Sequence, residues 1–213
     1  MKKVKEPFFV ISRFSENVEW IREITDNYII YNKGEELDSS FHQKVVPNFG
    51  GNQYDIFNYI VENYDNLPDL IAFVQGNPFD HCRKERFLDL IKNDYYTHLF
   101  GDSNYPDGEY TEENNNWYIG PVSRTKGITS SISSFDEYAE KTFKNYTHLN
   151  FLKFPPGSQI LVEKERCLYY SKKFWNRLMG SINQEIGMNG GVEAHIVERS
   201  IDLIFQNIYE EKE

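Results

Sequence analysis

The sequence predicts an α/β fold in a single domain over 1–213, with a mixed, mostly parallel Rossmann-type central sheet flanked by helices. Three observations carry the prediction. Short apolar runs alternate with stretches of helical period through the first 80 residues, and each run stops abruptly at Gly, Asn, Pro or a charge. A length of 213 residues suits one domain better than two.

Taken in order, Phe8-Phe9-Val10-Ile11 reads as a buried strand that gives way to Ser12 and Arg13. Next, ENVEWIREI puts Val18, Ile21 and Ile24 at helical spacing, with Trp20 also available for packing. NYIIYNKGE (27–35) is a second strand, β-branched and aromatic, closed by Asn32-Lys33-Gly34. The unit is β-α-β, the signature of a parallel sheet. Val45-Val46-Pro47 forms a brief third strand. After Gly50-Gly51, Asn52 is placed to cap a helix with Ile56, Tyr59, Ile60 and Tyr64 on one face. Asn66-Leu67-Pro68 breaks it, and DLIAFVQG is the next strand, ending at Gly76. Residues 1–80 therefore form one half of the domain and 81–213 the other.

The second half predicts a helix over 83–92 with Phe87, Leu88 and Ile91 inward. A polar, turn-rich segment over 101–127 follows, of a length expected of a functional loop or of disorder. Ser134-x-x-Glu137 is a capping box that opens another helix. A strand centres on Ile160-Leu161-Val162, and Ser171 caps a helix with Phe174, Trp175, Leu178 and Ile182 on one face. Gly190-Gly191 breaks the chain before a final helix within 188–209.

Composition narrows the function. With 39% hydrophobic and 16% aromatic residues a sizeable core can form, yet no apolar run is long enough to span a bilayer. The start, MKKVKEPFFVISRF, has no apolar signal-peptide core, and Cys82 and Cys167 form no C-x-x-C pair, so a reducing, cytoplasmic setting is expected. The net charge of −10 argues against general nucleic-acid binding. The acidic end, YEEKE, reads as a solvated tail that can lead into further domains of a longer chain.

Ligands of open α/β sheets sit beyond the carboxyl ends of the parallel strands. Three such ends are polar here: Ser12-Arg13, Tyr31-Asn32-Lys33-Gly34 and Gln75-Gly76-Asn77-Pro78-Phe79-Asp80. Together they offer two cations for phosphate, a carboxylate for a divalent metal, and amides and an aromatic for a base. Gly50-Gly51 is not a G-x-G-x-x-G fingerprint, and no G-x-x-x-x-G-K-[ST] loop is present, which removes the common kinase and GTPase readings. Asp80 is either the cap of the next helix or a metal ligand, with His81 beside it. In EAHIVER, His195 lies near the start of a helix with Glu193 and Glu198 on neighbouring turns; metal ligand and packing residue are both open readings. Glu198 and Arg199 can equally form structural ion pairs, while His42, His98 and His148 carry no paired signal. Trp117 and Tyr118 are candidates for stacking on a sugar face or for anchoring their loop. Cys82 and Cys167 lack a base partner and read as packing residues.

The order FVISRF, IIYNKG, PNFGGNQYDIFNYIVENYDNLPD, FVQGNPFDH, PPGSQILVEKE and EAHIVER resembles glycosyltransferases of the GT-A type. It is similar to small glycosyltransferase-like proteins with YNKG, NYDNLPD and QG-x-PFDH segments, and to the N-terminal glycosyltransferase domains of chlorella-virus glycan-building proteins. The resemblance implies a GT-A-like fold and a UDP-sugar donor held with Mn2+ or Mg2+. It further implies transfer of a hexose or 6-deoxyhexose to a viral or surface glycan, in the host cytoplasm for a viral protein. It places Ser12, Arg13, Tyr31, Asn32, Lys33, Asp55, Gln75, Gly76 and Asn77 around the nucleotide sugar, and Asp80 and His195 as metal-binding and catalytic residues. Here 1–80 is the nucleotide-binding half and 81–213 the acceptor half. NPFDH departs from the Asp-x-Asp pattern of such enzymes: Asn77 stands where an acidic residue is expected, and the spacing to Asp80 is one longer. Glu193 and Asp102 are both candidates for an acceptor-side carboxylate, and the resemblance assigns the base to neither. A nucleotidyltransferase making a nucleotide sugar and a non-catalytic carbohydrate-binding module are the alternatives.

Overall fold

The computed structural model describes residues 5–101, 118–119, 135–149, 152–153, 156–183 and 190–212. Its strands are β1 (Phe8–Arg13), β2 (Tyr28–Asn32), β3 (Gln43–Val45), β4 (Leu70–Gln75), β5 (Thr97–His98), β6 (Tyr118–Ile119), β7 (Leu152–Lys153) and β8 (Ile160–Glu163). Its α-helices are α1 (Gly51–Asn63), α2 (Lys84–Leu90), α3 (Phe135–Thr142), α4 (Lys164–Leu168), α5 (Lys172–Ser181) and α6 (Gly190–Phe205). A six-stranded sheet runs in the order β3-β2-β1-β4-β8-β5. The pairs β3/β2, β2/β1 and β1/β4 are parallel, whereas β8 runs antiparallel to both β4 and β5. β6 and β7 form a separate antiparallel pair. Among the described residues, no helix is long and apolar enough to cross a membrane.

The unbroken apolar runs of β1 and β4 follow from burial on both faces. Val10, Ile71 and Phe73 pack into one core with α1, α3, α5 and α6, around Phe57, Trp175 and Phe205. Phe9, Ile11, Ala72 and Val74 face the other way, toward Trp20, Phe87 and Leu99. Successive side chains thus serve two cores, and neither face of these strands has room for polar residues.

Several elements differ from their sequence expectation. The segment 16–24 is a single 3-10 turn over Glu19–Glu23, anchored by Trp20, whose indole Nε1 donates to the Gly76 carbonyl at 2.8 Å. This tether pulls the short connection onto the sheet and leaves no room for a longer helix. β3 lies slightly earlier than expected, and Val46 turns into the core instead. Asn52 does not cap α1: Gly50 holds that position in the left-handed region, at φ 49°, with Gly51 at φ 62°. Glycine alone adopts this entry without strain. The helix expected over 83–92 is trimmed to α2. Ser171 does cap α5, accepting from the Phe174 amide at 3.1 Å. Most of the loop 101–127, Trp117 and Ser134 lie outside the described residues, as do the side chains of Tyr118, Glu193 and His195.

Candidate functional site

The carboxyl ends of β1, β2 and β4 reach one rim, and strand order reverses between β1 and β4, where α/β sheets commonly bind ligands. An open cleft of about 380 Å³ lies there. Ser12, Arg13 and Glu16 border it from β1 and its exit. Gln75, Asn77, Asp80 and His81 border it from β4, and Lys33, Asn48, Gly51 and Asn52 close it on the α1 side.

Arg13 is largely buried and acts within its own rim. Its Nε donates to the Glu16 carbonyl at 2.9 Å, and its Nη1 donates to Asn32 Oδ1 at 2.7 Å and to the Glu35 carbonyl at 2.8 Å. Asn32 is fully buried and also donates to the Glu35 carbonyl and to Gln43, so it shapes the β2 exit without lining the cleft. Gly34 is needed there because a Cβ would meet the Phe14 carbonyl oxygen at 1.7 Å.

Lys33 and Asp55 form an ion pair at 2.9 Å with side chains 3% and 1% exposed. The ammonium also donates to the carbonyls of Phe49, at 3.1 Å, and Gly51. Ser12 Oγ donates to the same Asp55 oxygen, Oδ2, while Oδ1 is buried without a hydrogen-bond partner among the described residues. Burial pushes the Asp55 carboxyl up to about 6, against the pull of Lys33 and Ser12. Tyr31 points away from the cleft into the core beneath α1, where it meets Tyr59 edge-on and donates to Glu62 at 2.6 Å. Burial and the nearby Glu62 push its phenol well above the usual range.

On the β4 side, Asn77 has a defined task. Its Nδ2 donates to Asp80 Oδ1 at 2.6 Å, and its Oδ1 accepts from the Phe79 amide at 3.3 Å, capping the 3-10 turn Pro78–Asp80. Asp80 is exposed and aimed by this amide. Gly76 is buried against Glu16, whose carboxylate a Cβ would meet at 2.8 Å. The Gln75 side chain lies over Gly157, where a Cβ would come within 2.7 Å of it. The turn at Gly157 is tied to α6 by Glu198, which accepts its amide at 2.7 Å, and to α1 by the Asn52 side chain. His195 stands one turn before Glu198 in α6.

The structure thus brings Ser12, Arg13, Lys33, Gln75, Asn77 and Asp80 to one cleft, puts Gly76 and Asp55 directly behind it, and directs Tyr31 and Asn32 elsewhere. No group of three His, Cys, Asp or Glu side chains is arranged to hold a metal among the described residues, which do not include the side chain of His195. Sequence reasoning missed Glu16, whose Oε2 accepts the amides of Phe14 at 2.7 Å and Ser15 at 3.0 Å at the centre of the rim. It also missed Gln159, fully buried, which donates to the Pro78 carbonyl at 3.2 Å and supports the turn carrying Asp80. Neither sits in a pattern that sequence alone distinguishes. Phe14, 52% exposed on the cleft wall, follows Ser12 and Arg13 at the strand exit and carried no signal of its own.

Residues 9–213 match a family model described as a protein of unknown function, DUF3431, and the chain belongs to this family. No curated protein and no solved structure matches the chain.

Proposed function

We propose that the chain is a glycosyltransferase that moves a hexose or 6-deoxyhexose from a UDP-sugar to a glycan acceptor. The observation that carries the reading is the rim cleft at the β1/β4 reversal, with an exposed, aimed carboxylate on one wall and the start of α1 on the other. A diphosphate spans such a cleft well, since first-turn amides of a helix favour anions. The resemblance to GT-A enzymes supplies the sugar.

Asp80 fits a metal of the kind that binds one or two protein carboxylates together with substrate phosphates, which needs no all-protein cage. Mn2+ or Mg2+ held there would neutralise charge on the leaving diphosphate. Asn77 keeps Asp80 oriented, Gln75 and Asn77 offer amides to the ribose, and Arg13 gives the rim positive character. His195 remains the proposed partner of Asp80, on the helix that Glu198 ties to the cleft turn.

Incubating the protein with a panel of UDP-sugars and Mn2+ tests the reading through release of UDP. Turnover of at least one donor is expected, falling by about two orders of magnitude in Asp80→Ala. No binding or turnover of any donor, with Asp80→Ala without effect, would overturn it. Pyrophosphate release from a nucleoside triphosphate and a sugar 1-phosphate would instead mark a nucleotidyltransferase. Glycan binding without donor use would mark a carbohydrate-binding module.

A further inference from the structure

Lys33 looks at first like a phosphate ligand, a cation at the end of a parallel strand. Its surroundings point to another role. The three N–H groups of its ammonium meet three acceptors, Asp55 Oδ2 and the carbonyls of Phe49 and Gly51, and its side chain is 3% exposed. Those two carbonyls flank Gly50, the left-handed residue that starts α1. Asp55 lies on the next turn of the same helix and is held from β1 by Ser12. Lys33 therefore joins β1, β2 and the first turn of α1 at one buried point. On its far side that turn is tied down again, by Asn52 to the Gly157 carbonyl and by Gln53 Nε2 to Ser158 Oγ at 2.8 Å.

We propose that Lys33 is a positioning residue: clamped by Asp55, it fixes the first turn of α1 as the cleft wall, and the diphosphate meets that turn instead of the ammonium. Releasing the ammonium for a phosphate would strand the Asp55 carboxylate, whose Oδ1 already lacks a partner among the described residues, in a buried site. Leaving the clamp intact spares that desolvated charge and keeps the helix start in one geometry. This rests on the cleft being a diphosphate site.

The test uses four proteins: wild type, Lys33→Met, Asp55→Asn and the double variant, each titrated with UDP in the presence of Mn2+ at two salt concentrations. Positioning requires both single variants to weaken binding by a similar factor, about tenfold or more, with the double variant no weaker than either. It also requires the dependence of binding on salt to stay as in the wild type. A direct ligand behaves differently: Asp55→Asn would free the ammonium and hold or raise affinity, while Lys33→Met alone would lose it together with part of the salt dependence. That result overturns the proposal.

Hydrogen exchange provides a readout independent of the ligand. Both single variants should speed exchange of the Tyr54 to Phe57 amides by about tenfold more than that of the β4 amides, which report on global folding. Equal changes in the two regions would overturn the clamp. The double variant carries no uncompensated buried charge and keeps the comparison available if a single variant folds poorly. If wild type binds no UDP, the diphosphate reading and the ligand half of the proposal both fall, and exchange still decides whether Lys33 holds the helix start.

Discussion

Asp55 and Asp202 are both buried carboxylates facing a basic side chain, one behind the cleft and one beside the edge strand β5, yet their surroundings differ. Asp202, on α6, has both oxygens partnered: Oδ1 faces His98 Nε2 at 2.6 Å and Tyr96 Oη at 3.0 Å, and Oδ2 accepts from Gln206 at 2.6 Å. Burial alone would raise its pKa, but the bonds from His98, Gln206 and Tyr96 hold it below the usual carboxylate range. Among the described residues, Asp55 has two donors on one oxygen and none on the other, and burial prevails. The edge cluster fastens α6 to β5 with its polar groups satisfied. The rim cluster tolerates an unsatisfied oxygen where the chain must also hold a helix start against an open cleft. Unsatisfied buried groups in native proteins commonly mark such sites.

Removing the basic partner separates the two clusters most strongly. Lys33→Met leaves a carboxylate buried and unpaired, a change that costs about 3–5 kcal/mol. His98→Ala leaves Asp202 with Tyr96 and Gln206, and the loss of one hydrogen bond to a charged group costs about 1.5–3 kcal/mol. Urea denaturation of both variants at pH 7.5 measures the difference. Equal losses would mean that the lone oxygen of Asp55 has no energetic consequence and that the two pairs are equivalent.

The pH dependence of stability should carry opposite signs at the two sites. Asp55 has a folded pKa of about 6 against 3.8, so the folded state holds its proton more tightly. Its stabilising contribution is complete below the ordinary carboxylate pKa and is lost as pH rises through 6, by about 3 kcal/mol for a shift of about two units. Asp202, with its pKa lowered, contributes stability above the ordinary carboxylate pKa that is lost as pH falls. Unfolding free energies between pH 3 and pH 7.5 for wild type, Asp55→Asn and Asp202→Asn separate the two. Relative to wild type, Asp55→Asn should be penalised less at high pH than the loss of its ion pair suggests, and Asp202→Asn should flatten the acid limb. Parallel profiles for the two variants would remove the distinction.

These clusters also mark how far the sequence can be read. The parallel half was legible because β1, β2 and β4 are apolar on both faces and end abruptly, and those ends predicted the rim where the cleft lies. The antiparallel insertion of β8 beside β4 was not legible, because Ile160-Leu161-Val162 reads the same in either direction. Arg13, Lys33, Asn77 and Asp80 were found at the rim from strand position alone, but their partners were not. Asn77 looked like a lost acidic ligand until its amide was seen on Asp80. Lys33 looked free until Asp55, 22 positions away in the chain, was seen beside it. His98 carried no signal because Asp202 lies 104 residues later. Residue type and strand end give the site; long-range polar pairing gives the roles, and no local period encodes it.

The finest test converts one cluster toward the other. Gln206 supplies the bond to Oδ2 of Asp202, so Gln206→Ala leaves that oxygen without its protein partner, as Oδ1 of Asp55 is left. Because Gln206 is exposed, water can replace part of the lost bond, and the expected cost is about 0.5–1.5 kcal/mol. The pKa of Asp202 should rise, since one of the bonds holding it down is removed. Carboxyl titration by NMR reads that rise directly, and the acid limb of the stability profile should move to higher pH with it. A titration unchanged in Gln206→Ala would show that His98 and Tyr96 alone set the charge state of Asp202. The contrast with Asp55 would then rest on depth of burial, with the number of donors playing no part.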